Sequence, residues 1–198
     1  KFDFLGLKNL TLIDMTRKLA RERYGVDIDP NNLEPDDPHV FETIRRGFTE
    51  GLFQIESEGM KKLFKGLHKV DFESLIAGLA LYRPGPLEWV PEYTARANGE
   101  KEIPKICPEY DEITRDTFGI LIYQEQAMQI AQRMGGYTPG EADTFRKAIG
   151  KKREEILRPA LEELHRRMRE RGYSEKICDL IVRLIEPFSG LTLSSASY

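Results

Sequence analysis

The sequence predicts a mainly helical chain with one short strand at its start. Over most of the 198 residues, apolar side chains recur with the 3.6-residue period that gathers them on one face of a helix. Several of these segments begin at a capping residue and end at a glycine, as helices commonly do. At the start, Phe2 and Phe4 alternate with Lys1 and Asp3, and this two-residue period predicts a strand over residues 1–5.

Four helices are predicted in the first half of the chain. A polar connector rich in proline and asparagine, residues 27–38, separates the first helix from the second. The predicted helices are 8–23, with an apolar stripe of Leu12, Met15 and Leu19; 38–46; a third striped by Met60, Leu63, Phe64 and Leu67; and a fourth, capped by Asp71, that buries Phe72, Leu75, Ile76 and Leu79 and stops before Pro84.

The second half begins with residues 86–118, which are predicted to be irregular because prolines and glycines are scattered through them. A short apolar run, 119–122, then leads into a helix over 123–134 that Gly135 and Gly136 close. Three further helices are expected: one with Thr138 as cap, Pro139 as first residue, Glu141 as the acid of a capping box and Gly150 as its stop; one striped by Leu157, Leu161, Leu164 and Met168 that ends at Gly172; and one capped by Ser174 with Ile177, Leu180, Ile181, Leu184 and Ile185 facing inward.

Composition narrows the class of protein. Hydrophobic residues make up 40% and charged residues 32%, so the chain should fold with a heavily charged surface. The net charge of −3 gives no overall attraction to nucleic acid, but residues 144–183 hold twelve Lys and Arg against seven Asp and Glu. Cys107 and Cys178 have no metal or disulfide spacing, which is typical of a reduced, cytoplasmic protein. The chain lacks an initiator Met, and we expect it to be part of a longer polypeptide.

The basic segment TPGEADTFRKAIGKK, residues 138–152, is the strongest candidate for binding a polyanion. On a helix, Ala142, Phe145 and Ile149 would form the buried face, with Arg146 at its edge and Lys147 pointing away. Four cations within seven residues suit a triphosphate or a nucleic-acid backbone. The competing interpretation is a solvated basic helix end that complements the helix dipole, and taken alone this motif favours that interpretation.

Two other motifs present polar groups at turns or helix starts. LYRPGP, residues 81–86, predicts a tight turn that either presents Arg83 to a ligand or only terminates a helix. IYQEQAMQ, residues 122–129, offers Tyr123, Gln124 and Gln126 either to bases and sugars or as an ordinary polar helix face with Tyr123 half-buried. The three histidines are dispersed, and the sequence has no Gly-rich phosphate loop and no Ser or Cys nucleophile signature.

Taken together, the motifs resemble one family, the catalytic alpha subunit of bacterial DNA polymerase III, a C-family replicative polymerase. The resemblance runs from residue 1 to about Gly190 and rests on six motifs in the family's order. They are KFDFLGL, FQIESEGM, LYRPGP, GILIYQEQAMQIA, GYTPGEAD and RKAIGKK. It implies a fold in which residues 1–8 are the edge of an α/β palm and residues 9–198 are a helical fingers domain.

The resemblance also implies roles for particular residues. Asp3 is similar to the third of the family's palm aspartates, which hold two catalytic Mg²⁺ ions, and Lys1 to an active-site lysine. Arg146 and Lys147 resemble a basic pair in the fingers that reaches the incoming triphosphate, where the family more often has two arginines. Further phosphate-binding candidates are Arg83, Lys151 and Lys152.

Two departures from the family pattern limit what this chain is expected to do alone. The other two palm aspartates are not in the sequence, and one carboxylate cannot build a two-metal site, so we expect the isolated chain to be inactive. After Gly190 the chain reads LTLSSASY, where the family has a stretch resembling YGFNKSH whose histidine lies near the incoming sugar.

The implied partners are primer–template DNA, dNTP, the rest of the polymerase chain and replisome subunits such as the sliding clamp. The alternatives to a polymerase fragment are a non-catalytic helical module that binds DNA or a partner, and a helical scaffold with charged faces.

Overall fold

The computed structural model describes residues 6–83, 85–151 and 153–186. Within these ranges the chain forms ten α-helices and three short 3-10 turns, with no strand, so the prediction of a mainly helical chain is confirmed. The strand predicted over 1–5 lies outside the described residues. The helices are α1 (Lys8–Tyr24), α2 (Pro38–Arg45), α3 (Glu58–Gly66), α4 (Phe72–Leu81), α5 (Val90–Ala97), α6 (Pro108–Ile113), α7 (Gln124–Arg133), α8 (Pro139–Gly150), α9 (Glu154–Glu170) and α10 (Glu175–Ile185).

Two hydrophobic cores organise the described helices. The first joins α2 to α5 and is centred on the stripe predicted for α3, whose four residues are all buried: Met60, Leu63, Phe64 and Leu67. The second joins α6 to α10 and contains the stripe predicted for α9, again buried at every position: Leu157, Leu161, Leu164 and Met168. Because each stripe supplies large apolar side chains at helical spacing, burial of these faces from water is the main stabilising contribution.

The cores meet at an extended segment that precedes α7. Ile120 and Ile122 are buried in the first core, whereas Leu121, between them, is buried in the second. This alternation is what extended backbone requires, since successive side chains point to opposite sides. The segment therefore places the start of α7 at the boundary between the cores.

The face that α4 buries differs from the prediction. Asp71 caps the helix as expected, accepting a hydrogen bond from the Ser74 backbone N–H at 2.9 Å. The residues expected inside, Phe72, Leu75, Ile76 and Leu79, are exposed or half-buried, and the helix instead buries Ala77, Gly78 and Leu81. The helix is apolar on both sides, so periodicity could not select its inner face. The face with small side chains is the one that packs against α3, because small side chains let the two helices approach closely.

Two further predictions are wrong. Residues 86–118 are irregular only in part: 98–107 forms no helix, but α5 and α6 lie on either side of it. Pro91 and Pro108 occupy the first turns of these helices, where the backbone N–H that proline lacks would have no partner within the helix. Leu180 was expected to face inward but is exposed. The buried line of α10 runs through Cys178, Ile181 and Ile185, and Leu180 lies about 130° around the helix from the centre of that line.

Helix α1 stands apart from the others because none of its residues is buried. The stripe predicted for it, Leu12, Met15 and Leu19, is on the surface, and so are Leu10 and Ile13. Its end is regular, since Gly25 takes a left-handed conformation with φ of 66° and its N–H bonds to the Arg21 carbonyl. In the part of the chain that the structure describes, every helix is too short or too polar to cross a bilayer.

Candidate functional site

The predicted polyanion site lies on α8, and the start of this helix is firmly fixed. The capping box forms as predicted: the Glu141 backbone N–H donates to Thr138 Oγ1 at 3.3 Å, and the Thr138 N–H donates to Glu141 Oε2 at 2.8 Å. The other carboxylate oxygen of Glu141 accepts from Arg167 of α9 at 2.9 Å. The Arg167 bond, followed by the two from Thr138, lowers the pKa of Glu141 to about 2.

The inner face of α8 holds it against its neighbours. Ala142, Phe145 and Ile149 are buried, as the sequence predicts. The rings of Phe145 and Tyr137 pack edge to face, with their centroids 5.8 Å apart. The Arg167 guanidinium lies over the Tyr137 ring, 4.2 Å from its centroid. These contacts fix the rotation of α8, and so they decide which way its cations point.

Arg146 lies at the edge of the buried face and is held by two other side chains. Its Nε and Nη2 donate to Asp143 Oδ1 at 3.1 and 2.8 Å, and its Nη1 donates to Gln124 Oε1 of α7 at 3.3 Å. A guanidinium has five N–H groups, and these contacts use three of them. One N–H on each terminal nitrogen is left without a partner among the described residues, which suits two oxygens of one phosphate.

Lys147 points away from the buried face, with 62% of its side chain exposed. Its ammonium group lies 2.6 Å from Asp143 Oδ2, the carboxylate oxygen that Arg146 does not use. Lys147 and Arg146, in that order, lower the pKa of Asp143 by hydrogen bonding. The site therefore consists of two cations around one carboxylate, with a net charge of +1.

Known proteins resemble this chain closely. A family model described as the bacterial DNA polymerase III alpha subunit finger domain matches residues 9–172. The chain is 41% identical to the DNA polymerase III subunit alpha of Aquifex aeolicus over 99% of its own length, and 42% identical to that of Thermus aquaticus over 96%. It spans about 17% of the length of the first of these relatives and 16% of the second.

The chain belongs to the DNA polymerase III alpha subunit finger domain family.

In this finger domain, the two other predicted phosphate ligands that the structure describes, Lys151 and Arg83, make no hydrogen bond or ion pair with the partners of Arg146, which are Asp143 and Gln124. Lys151 is exposed at the C-terminal end of α8. Arg83 follows α4, and its Nε donates to the Ala80 carbonyl at 2.8 Å. No hydrogen bond or ion pair joins Arg83 to α8 among the described residues. Lys1, Asp3 and Lys152 lie outside those residues.

The IYQEQAMQ motif of the finger domain serves two different purposes. Gln124 contacts Arg146, so this motif and RKAIGKK come together at one site. Gln126 is buried, and its Oε1 accepts from the Ile122 and Tyr123 backbone N–H groups at 2.8 and 2.9 Å. Tyr123 is half-buried, and desolvation raises its pKa to about 12. Gln126 is therefore a structural residue, and Gln124 is the amide that belongs to the candidate site.

Sequence reasoning missed Asp143 as part of the site. The available signal was its spacing, because an acid three and four residues before two cations lies on the same side of a helix. The described residues contain no group of three or more His, Cys, Asp and Glu that could hold a metal ion.

Proposed function

We propose that this chain is the fingers part of a replicative DNA-directed DNA polymerase and that Arg146 and Lys147 bind the triphosphate of the incoming nucleotide. The observation that carries the proposal is the arrangement of Arg146. It is held from two sides and still offers two N–H groups, one on each terminal nitrogen, on a helix whose rotation is fixed by packing. Family membership supports the reaction class.

The proposed reaction is nucleotidyl transfer. The primer 3′-oxygen forms a bond to the α-phosphorus of a dNTP, the bond from that phosphorus to the leaving pyrophosphate breaks, and the hydroxyl proton passes to water. Negative charge grows on the leaving pyrophosphate, so cations held beside it lower the barrier. Arg146 would bind phosphate oxygens with its remaining N–H groups, and Lys147 would add a compact point charge.

Magnesium remains a proposal for the full-length enzyme, and the described residues do not form a site for it. Asp3 is the proposed metal ligand of this chain, and Lys1 is its proposed active-site neighbour. A two-metal site would take further carboxylates besides Asp3, since a single one binds Mg²⁺ weakly. None of the steps argued from Arg146 and Lys147 depends on the metal.

The proposed partners are primer–template DNA, dNTP and the rest of the polymerase chain, with the sliding clamp reached through other parts of that chain. Arg83, Lys151 and Lys152 are proposed as secondary phosphate contacts, to DNA or to nucleotide. Because the relatives are bacterial, the proposed location of the enzyme is the cytoplasm, where the chromosome lies.

Steady-state nucleotide incorporation by the full-length polymerase tests the proposal. We expect Arg146→Ala and Lys147→Ala each to lower kcat/KM for dNTP by roughly ten- to a hundredfold, because a charge-assisted phosphate contact contributes about 1.5–3 kcal/mol. Arg158→Ala is the matched control. Arg158 pairs with Glu154 at 2.6 Å on α9 and is exposed to the same extent, 62%, as Lys147.

The competing interpretation treats the two cations as a solvated helix end of a non-catalytic module. It predicts a slightly lower thermal midpoint for each variant and unchanged nucleotide kinetics. If Arg146→Ala and Lys147→Ala behave like Arg158→Ala, the proposal is wrong.

A further inference from the structure

We propose that Asp143 is a positioning residue for the incoming nucleotide, holding Arg146 and Lys147 in the geometry that receives the triphosphate. This inference rests on the proposed function of those two cations. Asp143 does not contact the nucleotide in this scheme, and it acts only through its two neighbours.

The two oxygens of Asp143 are divided between the cations. Oδ1 accepts from Nε and Nη2 of Arg146, and Oδ2 accepts from Nζ of Lys147. One carboxylate thus sets the relative placement of both groups. The spacing makes this possible, because residues three and four positions along a helix lie on the same side as the first.

The bond to Asp143 selects the orientation of the Arg146 guanidinium. It occupies the side edge formed by Nε and Nη2, while Gln124 holds Nη1 from α7. One N–H on Nη1 and one on Nη2 remain without a partner among the described residues. A guanidinium fixed at one edge binds phosphate with less loss of side-chain freedom than a mobile one.

Electrostatics alone would argue against a carboxylate at this place. A carboxylate beside a triphosphate repels it, so removing the charge of Asp143 should strengthen nucleotide binding if charge were all that mattered. The two roles therefore predict opposite changes in kcat/KM for dNTP when Asp143 is removed. Positioning predicts a loss of nucleotide efficiency without Asp143, and simple charge balance predicts a gain.

The test uses the full-length polymerase with primer–template and dNTP. We expect Asp143→Ala to lower kcat/KM for dNTP about tenfold. Asp143→Asn keeps an oxygen that can accept from Arg146 but loses the ion pair with Lys147, so we expect an intermediate loss of about threefold. Glu154→Ala is the control, since it removes the carboxylate of a helical ion pair on α9 and should leave kcat/KM unchanged.

A double-mutant cycle separates positioning from a general effect on the fold. In a variant that already carries Arg146→Ala and Lys147→Ala, adding Asp143→Ala should cause no further loss of kcat/KM, because Asp143 has nothing left to position. A structural role would instead lower the thermal midpoint and leave the kinetics independent of the background.

The outcomes distinguish this inference from the proposed function. An increase of kcat/KM in Asp143→Ala, an unchanged value, or a further tenfold loss in the doubly substituted background overturns the positioning role alone. If Arg146→Ala and Lys147→Ala have normal kinetics, the proposed function fails and the inference fails with it.

Discussion

The side-chain amide of Gln126 connects α7 to the segments that precede it in the chain. Its Oε1 accepts from Ile122 and Tyr123, and its Nε2 donates to Thr117 Oγ1 at 2.8 Å and to the Ile113 carbonyl at 3.3 Å. Both lone pairs of the amide oxygen and both hydrogens of the amide nitrogen are used, and the side chain is buried. The amide therefore ties the end of α6 to the start of α7.

Removing this amide should destabilise the chain strongly. We expect Gln126→Ala to lower the free energy of unfolding by about 2 kcal/mol, because it leaves buried N–H groups of Ile122 and Tyr123 without acceptors. Gln129→Ala, on the exposed side of the same helix, is the control and should change it by less than about 0.5 kcal/mol. Urea denaturation measures both. Equal effects of the two substitutions would contradict the structural role of Gln126.

The site residues could be predicted from the sequence only in part. Arg146 at the edge of the buried face and Lys147 pointing outward follow from helical periodicity once Phe145 and Ile149 are placed inside. Which amide serves the fold and which meets Arg146 could not be predicted. Gln124 and Gln126 are two positions apart on a helix, and the packing of α8 on α7 decides between them.

Among the helices, the contact between α3 and α4 depends on a glycine. A Cβ atom added to Gly78 would lie 2.9 Å from Cε1 and Cζ of Phe64, a ring that is fully buried. The absence of a side chain at this position lets the two helices approach closely. It also explains why α4 turns its small residues inward and leaves Phe72 and Ile76 on the surface.

Alanine at position 78 should therefore destabilise the protein even though it favours helix. We expect Gly78→Ala to lower the free energy of unfolding by about 1–3 kcal/mol, the usual cost of overpacking a core. Gly140→Ala in α8 is the matched control, because a Cβ there meets nothing within 4 Å. That substitution should leave stability unchanged or raise it by up to about 1 kcal/mol. Comparable losses at both glycines would show that the close approach is unimportant.

The accuracy of the helix predictions followed the pattern of apolar residues. Where a helix is apolar on one side and charged on the other, as in α3 and α9, both its existence and its buried face were predicted correctly. Where both sides are apolar, as in α4, periodicity predicts the helix but not its orientation. The choice depends on tertiary packing, which no local pattern contains.

At the scale of the whole molecule, α1 differs from the two cores because it buries nothing within the described residues. A helix of 17 residues without tertiary packing is only marginally stable in water. Its apolar residues lie on opposite sides, with Leu12 and Met15 on one and Leu10 and Ile13 on the other. Periodicity predicts this helix correctly. It does not predict that the helix is unpacked, because packing depends on contacts between distant parts of a chain.

Hydrogen exchange should reveal this difference in stability. In the isolated chain, we expect the backbone amides of α1 to exchange at least about a hundredfold faster than those of α7, whose Ala127, Ile130 and Ala131 are buried in the second core. Amide exchange followed by mass spectrometry or NMR measures this directly. Protection of α1 equal to that of α7 would mean that α1 is stabilised by packing that its exposed surface does not indicate.

The alternation of Ile120, Leu121 and Ile122 between the two cores also restricts where members of this family can differ by insertions or deletions. One residue inserted or deleted here would turn each of these side chains to the opposite side. Each core would then lose apolar groups that it now buries. The connector between α1 and α2, residues 25–37, is exposed throughout and carries no such restriction. Natural variation in chain length should therefore accumulate in the connector and leave the segment before α7 constant.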